Sequence, residues 1–531
     1  MRTCCWHRLT VAAALLALAG IGCSPAAPPA AVGAAAQPRD GAASPPAAAV
    51  KPAAESPPTP AADQREETWM ACYINGSKIG YSHLIVEPLT EGGRPCFRWT
   101  YEDELKLRRF DADTIVRTRL TSLETRDGQL LSFRSEMNTG PGTITTEGRC
   151  EGGQLTLRDA TQGKVEQRAL AWDEQYGGFF ADQLSVRRKP MRPGERRRLQ
   201  ALVQGFNQVG TIHLEAVALE ATPLPSGTQT LLRINVTTEL GSAQIKSMVW
   251  TDAQGKPQKV KLLLLDMEAV VTTQQDALRP SAGGRFDLGF DAIVRTDRQL
   301  PDPHHTRRVV YQAHLKDGDA KSLFAAGLTQ TVRPLDDDRV EISVQAVRPE
   351  QPPTVPGPQT DAPTEADRRP STMLQSDDPL IVKMSQAVAA GESEPWTVAR
   401  ALERHVKTTI RLKNYSTAMA TAAEVAKTLE GDCTEHAMLL AALCRARGIP
   451  ARVAIGLVYY PAERGFAYHM WTEVWIKDRW IPLDATLGLG GIGGAHLKFA
   501  SSSMQGTAAF AELLPVIQAL GKLKLEIVSA D

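Results

Sequence analysis

The sequence predicts an α+β protein in which antiparallel β domains come first and a domain of helices followed by strands comes last. Two patterns carry this prediction. Short apolar runs separated by turn residues repeat from residue 68 to residue 276, which is typical of an antiparallel sheet. Between residues 373 and 531, stretches with helical apolar spacing precede strand-like runs. A proline-rich linker at residues 350–372 separates the two regions.

The composition excludes some partners. The chain has 531 residues, with 60 basic and 60 acidic side chains, so its overall charge gives no reason to expect a nucleic-acid partner. One basic cluster, at residues 187–198, is interrupted by Pro190, Pro193 and Gly194. This interruption favours a solvated loop over a binding patch.

Residues 1–23 have the pattern of an export signal. Arg2 and Arg8 precede the short apolar run 11–19, and small residues lead to Cys23. The segment 20–23 resembles a bacterial lipobox, which implies that Cys23 carries the lipid and becomes the mature N-terminus. Gly20 stands where that pattern prefers leucine, so cleavage by an ordinary signal peptidase is the alternative. We expect a protein anchored by lipid at the periplasmic face of a bacterial membrane.

Residues 24–67 are mostly Ala, Pro, Ser and Gly up to residue 62. A segment of this composition buries too little apolar area to offset its conformational entropy. We therefore predict a disordered tether between the membrane and the folded part of the chain.

The two predicted β regions are residues 68–276 and 284–349. Asn75-Gly76 marks a hairpin in the first, and residues 309–315 and 340–346 alternate apolar and polar in the second. His304 and His305 follow Pro303 with no carboxylate or cysteine nearby in sequence, so we expect a surface turn and not a metal site. No motif in these regions carries chemistry, and we interpret them as a spacer or binding platform.

The residues with chemical potential lie in the predicted domain 373–531. Cys433 begins a helical run that ends near Gly448, and a helix N-terminus favours the thiolate, as would a nearby His469. We therefore expect a lowered thiol pKa at Cys433. His469 lies on a strand and Asp484 ends the next one. Cysteine on a helix, then histidine and a carboxylate on strands, is an order that a thiol acyl-transfer triad can use.

Several motifs in this domain resemble the transglutaminase-like superfamily, whose core is related to papain-like thiol proteases. They are Gly431-Asp432-Cys433, the segment 445–452, the segment 469–474, and the segment 480–486, and the resemblance covers roughly residues 370–500. It implies that Cys433 is the nucleophile, His469 the general base and Asp484 the residue that orients the imidazole. It also implies an oxyanion donor upstream of the cysteine, for which Tyr415 is the nearest aromatic candidate.

The role of Asp484 depends on the register of one hairpin. A turn centred on Asp478 and Arg479 places Asp484 opposite Glu473 and not opposite His469, which leaves a gap along the strand between Asp484 and His469. Twist, a bulge or a different turn must remove that gap. Glu473 is the alternative orienting carboxylate.

Cysteine usage leaves one question open. An exported protein allows a disulfide among Cys72, Cys96 and Cys150, for example between the first two. No CxxC pair occurs, and we predict neither a zinc site nor any other metal or cofactor.

The five glycines of residues 488–494 lack the signature of a phosphate loop and predict a mobile loop at the border of the cleft.

These observations lead to one functional expectation and two alternatives. We expect a thiol enzyme that hydrolyses amide bonds of protein or peptide substrates. The same residues would serve an amine transferase that cross-links glutamine side chains. A non-catalytic surface module with this fold is the third interpretation.

Overall fold

The structure is a computed structural model that describes residues 64–531, apart from residues 111, 141, 162, 242, 264–265, 281–286, 317, 348–360, 412 and 414. The predicted signal segment with Cys23, nearly all of the predicted tether and the first part of the proline-rich linker lie outside the described residues. Within the described ranges, no helix is both long and apolar enough to cross a membrane.

One antiparallel sheet of 14 strands occupies the chain up to residue 272. Its strands are β1 (Glu66–Ile74), β2 (Ser77–Glu91), β3 (Arg94–Arg109), β4 (Ala112–Thr125), β5 (Leu130–Asn138), β6 (Thr143–Glu151), β7 (Gln154–Thr161), β8 (Lys164–Ala171), β9 (Arg196–Val203), β10 (Gln208–Thr222), β11 (Gln229–Leu240), β12 (Ala243–Thr251), β13 (Pro257–Leu262) and β14 (Met267–Thr272). Two short helices, α1 (Ala181–Arg188) and α2 (Gln274–Leu278), follow β8 and β14.

Strands that are consecutive in the chain are neighbours in this sheet, except that β8 and β9 form its two edges, and β1 pairs with β14 in its middle. The turn between β1 and β2 has positive φ at both Asn75 and Gly76, which is the two-residue hairpin turn that matches strand twist. Buried and exposed side chains alternate along β3 and β4, so one face of the sheet is apolar. Helix α1 covers part of that face, where Phe180 stacks on Trp99 with ring centroids 4.6 Å apart.

The second β region does not form a sheet of its own. It contributes α3 (Leu288–Asp291), β15 (Val294–Arg295), β16 (Arg308–Leu315), α4 (Ala320–Leu323), β17 (Gln330–Pro334) and β18 (Arg339–Gln345). The rest of the chain contributes α5 (Pro379–Ala387), α6 (Pro395–Thr409), α7 (Ala422–Thr428), α8 (Cys433–Ala446), β19 (Ala451–Tyr460), β20 (Gly465–Ile476), β21 (Arg479–Leu483), β22 (His496–Ser502), α9 (Leu514–Ala519) and β23 (Leu523–Ala530).

Two antiparallel sheets combine these parts of the chain. One has the order β15-β20-β19-β22, with β21 also paired to β20, and the other has the order β17-β18-β16-β23. Strand β15 therefore joins the sheet that carries His469, and β23 completes the sheet begun by β16. The predicted α+β class is confirmed, but the strands of residues 284–349 are shared with the C-terminal domain.

Helix α8 is the centre of the C-terminal domain. Every residue from Cys433 to Arg445 is buried, and from Ala437 to Cys444 the helix has apolar or small side chains on all sides, as a fully buried helix requires. Helices α5, α6 and α7 contact it, and β20 lies along another face. Thr472 ties the two elements together, because its hydroxyl donates to the carbonyl of Ala437 at 3.0 Å. This packing fixes the helix start against the strand that carries His469.

The disulfide left open by the sequence is not formed. Cys72, Cys96, Cys150, Cys433 and Cys444 are all free. Cys72 lies on β1 and Cys96 on β3, with β2 between them. Two strand spacings amount to about 10 Å, which exceeds the Cα separation that a disulfide spans.

Candidate active site around Cys433

The first turn of α8 is fixed by a reciprocal cap. The Asp432 carboxylate accepts from the Thr434 amide at 2.9 Å, and the Glu435 carboxylate accepts from the Asp432 amide at 2.9 Å. Gly431 has φ 145°, and a Cβ there would lie 2.3 Å from Cβ of Glu435. Only glycine fits this approach, so the Gly-Asp-Cys order sets the thiol on the first turn of the helix.

The Cys433 thiol lies inside the protein. Its residue is 1% exposed, and the backbone N–H of Met470 donates to its sulfur. Burial raises the thiol pKa well above its ordinary value, and the Asp432 carboxylate raises it further. The sequence-based expectation of a lowered pKa is therefore wrong for this closed state, because desolvation outweighs the helix N-terminus.

His469 and Asp484 form a buried pair. Nε2 of His469 lies 2.8 Å from Oδ2 of Asp484, and both side chains are at most 1% exposed. Nδ1 of His469 has no hydrogen-bond partner among the described residues. The imidazole is thus held at one nitrogen and open at the other. The sulfur of Cys433 is bound by Met470, the residue next to His469.

The hairpin register differs from the one considered in the sequence. The turn consists of Lys477 and Asp478, both with positive φ, and β20 and β21 close with Ile476 opposite Arg479. Leu483 therefore faces Thr472, and the register carried one residue further places Asp484 opposite Trp471, two positions closer to His469 than expected. A turn placed one residue earlier thus halves the offset that the predicted register left, and the side chains of Asp484 and His469 span the rest.

Four hydrogen bonds hold the Asp484 carboxylate. Oδ1 accepts from the amides of Thr486 at 2.8 Å and Leu487 at 3.4 Å, while Oδ2 accepts from His469 and, at 3.0 Å, from His496 Nε2. Although burial favours the neutral acid, the two histidines keep the pKa of Asp484 well below its usual range. Asp484 is therefore ionised and cannot rotate freely.

His496 is a site residue that the sequence did not reveal. It begins β22 and is buried, and burial lowers its pKa although Asp484 acts in the opposite direction. The only local signal is a histidine that opens an apolar strand directly after the glycine-rich loop. Position in the fold, and not sequence spacing, brings it to Asp484.

The same three side chains are the candidates for holding a metal ion among the described residues. One donor atom each of His469, Asp484 and His496 lies within 4.8 Å of the others. The contacts to Asp484, at 2.8 and 3.0 Å, are normal lengths for N–H···O hydrogen bonds. We interpret the group as hydrogen-bonded and not as a metal centre.

Glu473, the alternative orienting carboxylate, has other partners. It accepts from Lys498 Nζ at 2.6 and 2.7 Å and from Arg452 Nε at 2.8 Å. Burial alone would favour its neutral form, but Lys498 and Arg452 lower its pKa below the ordinary value. The structure therefore pairs Glu473 with these cations, and Asp484 with His469.

Tyr415, the candidate oxyanion donor, lies in the segment before α8. It is half-buried, its ring packs on Phe110 with centroids 5.1 Å apart, and its carbonyl accepts from the Thr114 hydroxyl at 2.5 Å. These contacts come from the 14-stranded sheet. Its role toward an oxyanion stays a prediction.

Of two expectations about loops near the site, the mobile glycine-rich loop is wrong, and the surface turn at His304 and His305 holds only for His305. Residues 490–494 of the glycine-rich loop are buried and do not form an open rim, and a Cβ at Gly493 would lie 2.6 Å from the carbonyl oxygen of His304. His304 is half-buried and its ring centroid is 6.3 Å from that of His496, whereas His305 is exposed. Burial lowers the pKa of His304 to about 4. The glycines allow this loop to pack closely on the segment that carries His304.

Comparisons with known proteins agree with the C-terminal geometry. The family model of the transglutaminase-like superfamily matches residues 382–485, which include Cys433, His469 and Asp484. No curated protein sequence matches the chain significantly.

Three solved structures are similar to parts of the chain. A "putative cysteine protease" from Cytophaga hutchinsonii is 16% identical, with 42% of this chain and 84% of that chain covered and a TM-score of 0.26. A beta-barrel-like protein of a domain of unknown function from Brucella abortus is 8% identical, with 39% and 95% covered and a TM-score of 0.29. A "putative protease" from Parabacteroides distasonis is 11% identical, with 69% and 67% covered and a TM-score of 0.19. The scores are too low to support an argument about function. The match to the family model, together with the arrangement around Cys433, shows that this chain carries a domain of the transglutaminase-like superfamily.

Proposed function

We propose that the protein is an exported thiol enzyme that hydrolyses amide bonds of protein or peptide substrates through Cys433, His469 and Asp484. The observation that carries the proposal is the buried hydrogen bond from His469 Nε2 to Asp484 Oδ2, while Nδ1 of the imidazole has no partner among the residues that the structure describes. An imidazole oriented at one nitrogen and open at the other is the form that a general base needs.

The reaction follows from this arrangement. His469 Nδ1 takes the proton of the Cys433 thiol while the sulfur attacks the amide carbonyl, and the carbonyl electron pair moves to the oxygen. The backbone N–H of Cys433 and an upstream donor, for which Tyr415 is the candidate, would stabilise that oxyanion. The imidazolium returns the proton to the leaving amine as the C–N bond breaks. Water, deprotonated by the same imidazole, then cleaves the thioester and restores the thiol.

The closed state has a consequence for the order of events. With its pKa raised by burial, Cys433 rests as a neutral thiol, and a residue that is 1% exposed is not reached by a polypeptide substrate. The site must therefore open to admit substrate, and the proton transfer to His469 accompanies the attack. The ionised Asp484 stabilises the imidazolium that forms.

Hydrolysis is favoured over amine transfer by the state of the nearby carboxylates. Asp432 is bound by Arg109, Glu435 by the amides of Ala420 and Asp432, and Asp484 by two histidines. A lysine-type acceptor needs a free carboxylate or an aromatic channel beside the thioester, in competition with water at about 55 M. Because Asp432, Glu435 and Asp484 already have these partners, none of the three is free to bind a cationic amine acceptor.

One observation favours the transferase alternative. The glycine-rich loop is buried and does not open the site to solvent, and Trp471 stacks near His469 with centroids 6.2 Å apart. A site that excludes water protects a thioester long enough for an amine to attack.

The location is part of the same proposal. The charged start, apolar run and Cys23 of the signal segment support export and lipid anchoring at the periplasmic face of a bacterial membrane. The substrate would then be a protein or peptide of the cell envelope.

The test is incubation of the purified protein with a library of glutamine-containing peptides, with and without a dansylated cadaverine. We expect free acid or cleaved peptide as the main product, and none from Cys433→Ser. Dominant amine incorporation at millimolar acceptor would establish the transferase. If neither product forms with the thiol reduced, the non-catalytic binding module is the better interpretation.

A further inference from the structure

The 14-stranded sheet reaches the start of the nucleophile's helix through one side chain. Arg109 is the last residue of β3 and is fully buried. Its Nη2 lies 2.5 Å from Oδ2 of Asp432, and its Nη1 donates to the carbonyl of Thr417 at 2.9 Å. Asp432 caps α8 and directly precedes Cys433. A guanidinium from the N-terminal half of the chain therefore binds the residue that fixes the thiol's position.

Neighbouring residues of the sheet hold the segment that leads to this helix. The Thr114 hydroxyl donates to the carbonyl of Tyr415 at 2.5 Å, and the Thr139 hydroxyl donates to the carbonyl of Met419 at 2.9 Å. The amide of Ala418 donates in return to the carbonyl of Thr139 at 2.7 Å. These bonds hold residues 415–419 in place between the sheet and α8.

The charges explain why the contact is an arginine. Asp432 and Glu435 are both buried beside the thiol. Burial, reinforced by Asp432, raises the pKa of Glu435 well above its ordinary value, which favours its neutral form. Asp432 is left as the carboxylate that needs a cation, and Arg109 is the cation bonded to it. A buried carboxylate without its partner must take up a proton or admit water.

We propose that Arg109 is a positioning residue: it places Cys433 for attack by holding Asp432 and Thr417, so the N-terminal sheet is a structural part of the active site. The assignment of Cys433 as the nucleophile rests on the function proposed above. Arg109 does not touch the reacting atoms. It acts through Asp432, because a loosened cap lets the thiol leave the line of attack and reach solvent.

The test compares Arg109→Met, Arg109→Lys, Asp432→Asn and the double variant in the otherwise intact protein. The readout is the rate of alkylation by iodoacetamide at Cys433 and at Cys444, mapped by mass spectrometry. Cys444 lies on the same helix and is equally buried, so it reports general loosening of α8. Arg117→Met is the matched control, since Arg117 is exposed and pairs with Glu104 on the sheet surface. Circular dichroism and thermal melts establish folding.

We expect Arg109→Met to speed alkylation of Cys433 by about tenfold or more while turnover falls by a similar factor at nearly constant KM, because the thiol becomes accessible but misplaced. The alkylation rate of Cys444 in Arg109→Met, and that of Cys433 in the Arg117→Met protein, should stay within about twofold of the wild-type rates. The alkylation rate of Cys433 in Arg109→Lys should lie between those of the wild type and Arg109→Met, since one ammonium cannot bind both acceptors as the guanidinium does. In the Asp432→Asn background, Arg109→Met should change the alkylation rate of Cys433 little further, because the Asp432 carboxylate that Arg109 binds is already absent.

Three results would overturn the proposal. They are a Cys433 rate unchanged in Arg109→Met, an equal rise at Cys444, and a double variant whose rate is the product of the single effects. If Arg109→Met does not fold, Arg109→Lys decides, with a selective rise at Cys433 supporting the proposal and no rise contradicting it. Alkylation needs no substrate, so these arms still decide on Arg109 if the wild-type protein shows no amide turnover.

Discussion

His469 and His496 donate to the same oxygen of Asp484, at 2.8 and 3.0 Å. One carboxylate oxygen thus serves two imidazoles from different strands, while the other oxygen is held by backbone amides. His496 therefore helps to fix the carboxylate oxygen to which His469 is bonded. The orientation of His469 therefore depends on a residue outside the Cys-His-Asp set.

We predict that His496→Leu lowers turnover by about tenfold, because Asp484 loses one of the donors that fix its Oδ2. His496→Gln, which keeps an N–H donor, should retain more activity. The control is His314→Leu, since His314 pairs with Asp338 on the surface at 2.9 Å and should show wild-type turnover. Steady-state kinetics with a substrate from the peptide screen make the measurement. Unchanged turnover in His496→Leu would mean that His469 and the backbone amides suffice to hold Asp484.

The two carboxylates of the hairpin should separate function from stability. Asp484→Asn should cut turnover by about 10⁴-fold, the effect seen for the orienting Asp of a Ser-His-Asp triad. Glu473→Gln should instead lower the free energy of unfolding by about 3–5 kcal/mol, because Lys498 and Arg452 lose their buried anion. Kinetics and denaturant melts of both variants test this contrast. The reverse ranking in turnover would assign the orienting role to Glu473.

Much of the site could be predicted because its residues are local to motifs. The Gly-Asp-Cys order, with Glu435 three residues after the cap, specifies the start of α8. The pairing of Asp484 depended on one turn residue, and the sequence alone could not choose between adjacent turn positions. Lys477 and Asp478 both adopt positive φ, which neither residue type demands.

The rest required tertiary structure. His496 reaches Asp484 because β22 pairs with β19, and Arg109 reaches Asp432 across 323 residues of chain. Neither contact leaves a periodic signal in the sequence. The thiol pKa was misjudged for the same reason, since the helix terminus is visible in a sequence and the depth of burial is not.

Glu403 should make stability depend on pH near neutrality. It is buried and accepts from the Gly490 amide at 3.2 Å, and burial followed by the charge of Asp484 raises its pKa from 4.5 to about 8. The unfolded chain releases this proton near pH 4.5 and the folded chain only near pH 8. Stability from this group is therefore fully present below the lower value and lost as pH rises through the higher one.

We accordingly predict that Glu403→Gln gains stability relative to the wild type as pH rises from about 4.5 to about 8. The difference should reach a few kcal/mol, with about 5 kcal/mol as its ceiling. Denaturant melts of both proteins at pH 5 and pH 8 measure it. A constant difference across this range would show that Glu403 ionises normally in the folded protein.

Lipid anchoring is tested at Cys23. The wild-type protein should sediment with membranes, and Cys23→Ser should be released or remain unprocessed, because the acyl chains supply the membrane affinity. Fractionation and mass spectrometry of the mature N-terminus make the measurement. A mature N-terminus downstream of Cys23, in the Ala/Pro-rich segment, would instead indicate a secreted protein.

The pairing of β16 with β23 has a consequence for when the protein can become complete. Arg298 donates to the carbonyl of Ile527, 229 residues further along the chain, and β16 has β23 as one of its two neighbours. Contacts this distant in sequence form slowly and late. A chain that emerges N-terminus first can form the 14-stranded sheet early. Its C-terminal domain stays incomplete until β23 has been synthesised and has paired with β16. Synthesis of the chain through β23 must therefore precede an assembled candidate site, so the helix that begins at Cys433 cannot reach its final packing while the chain is still being made.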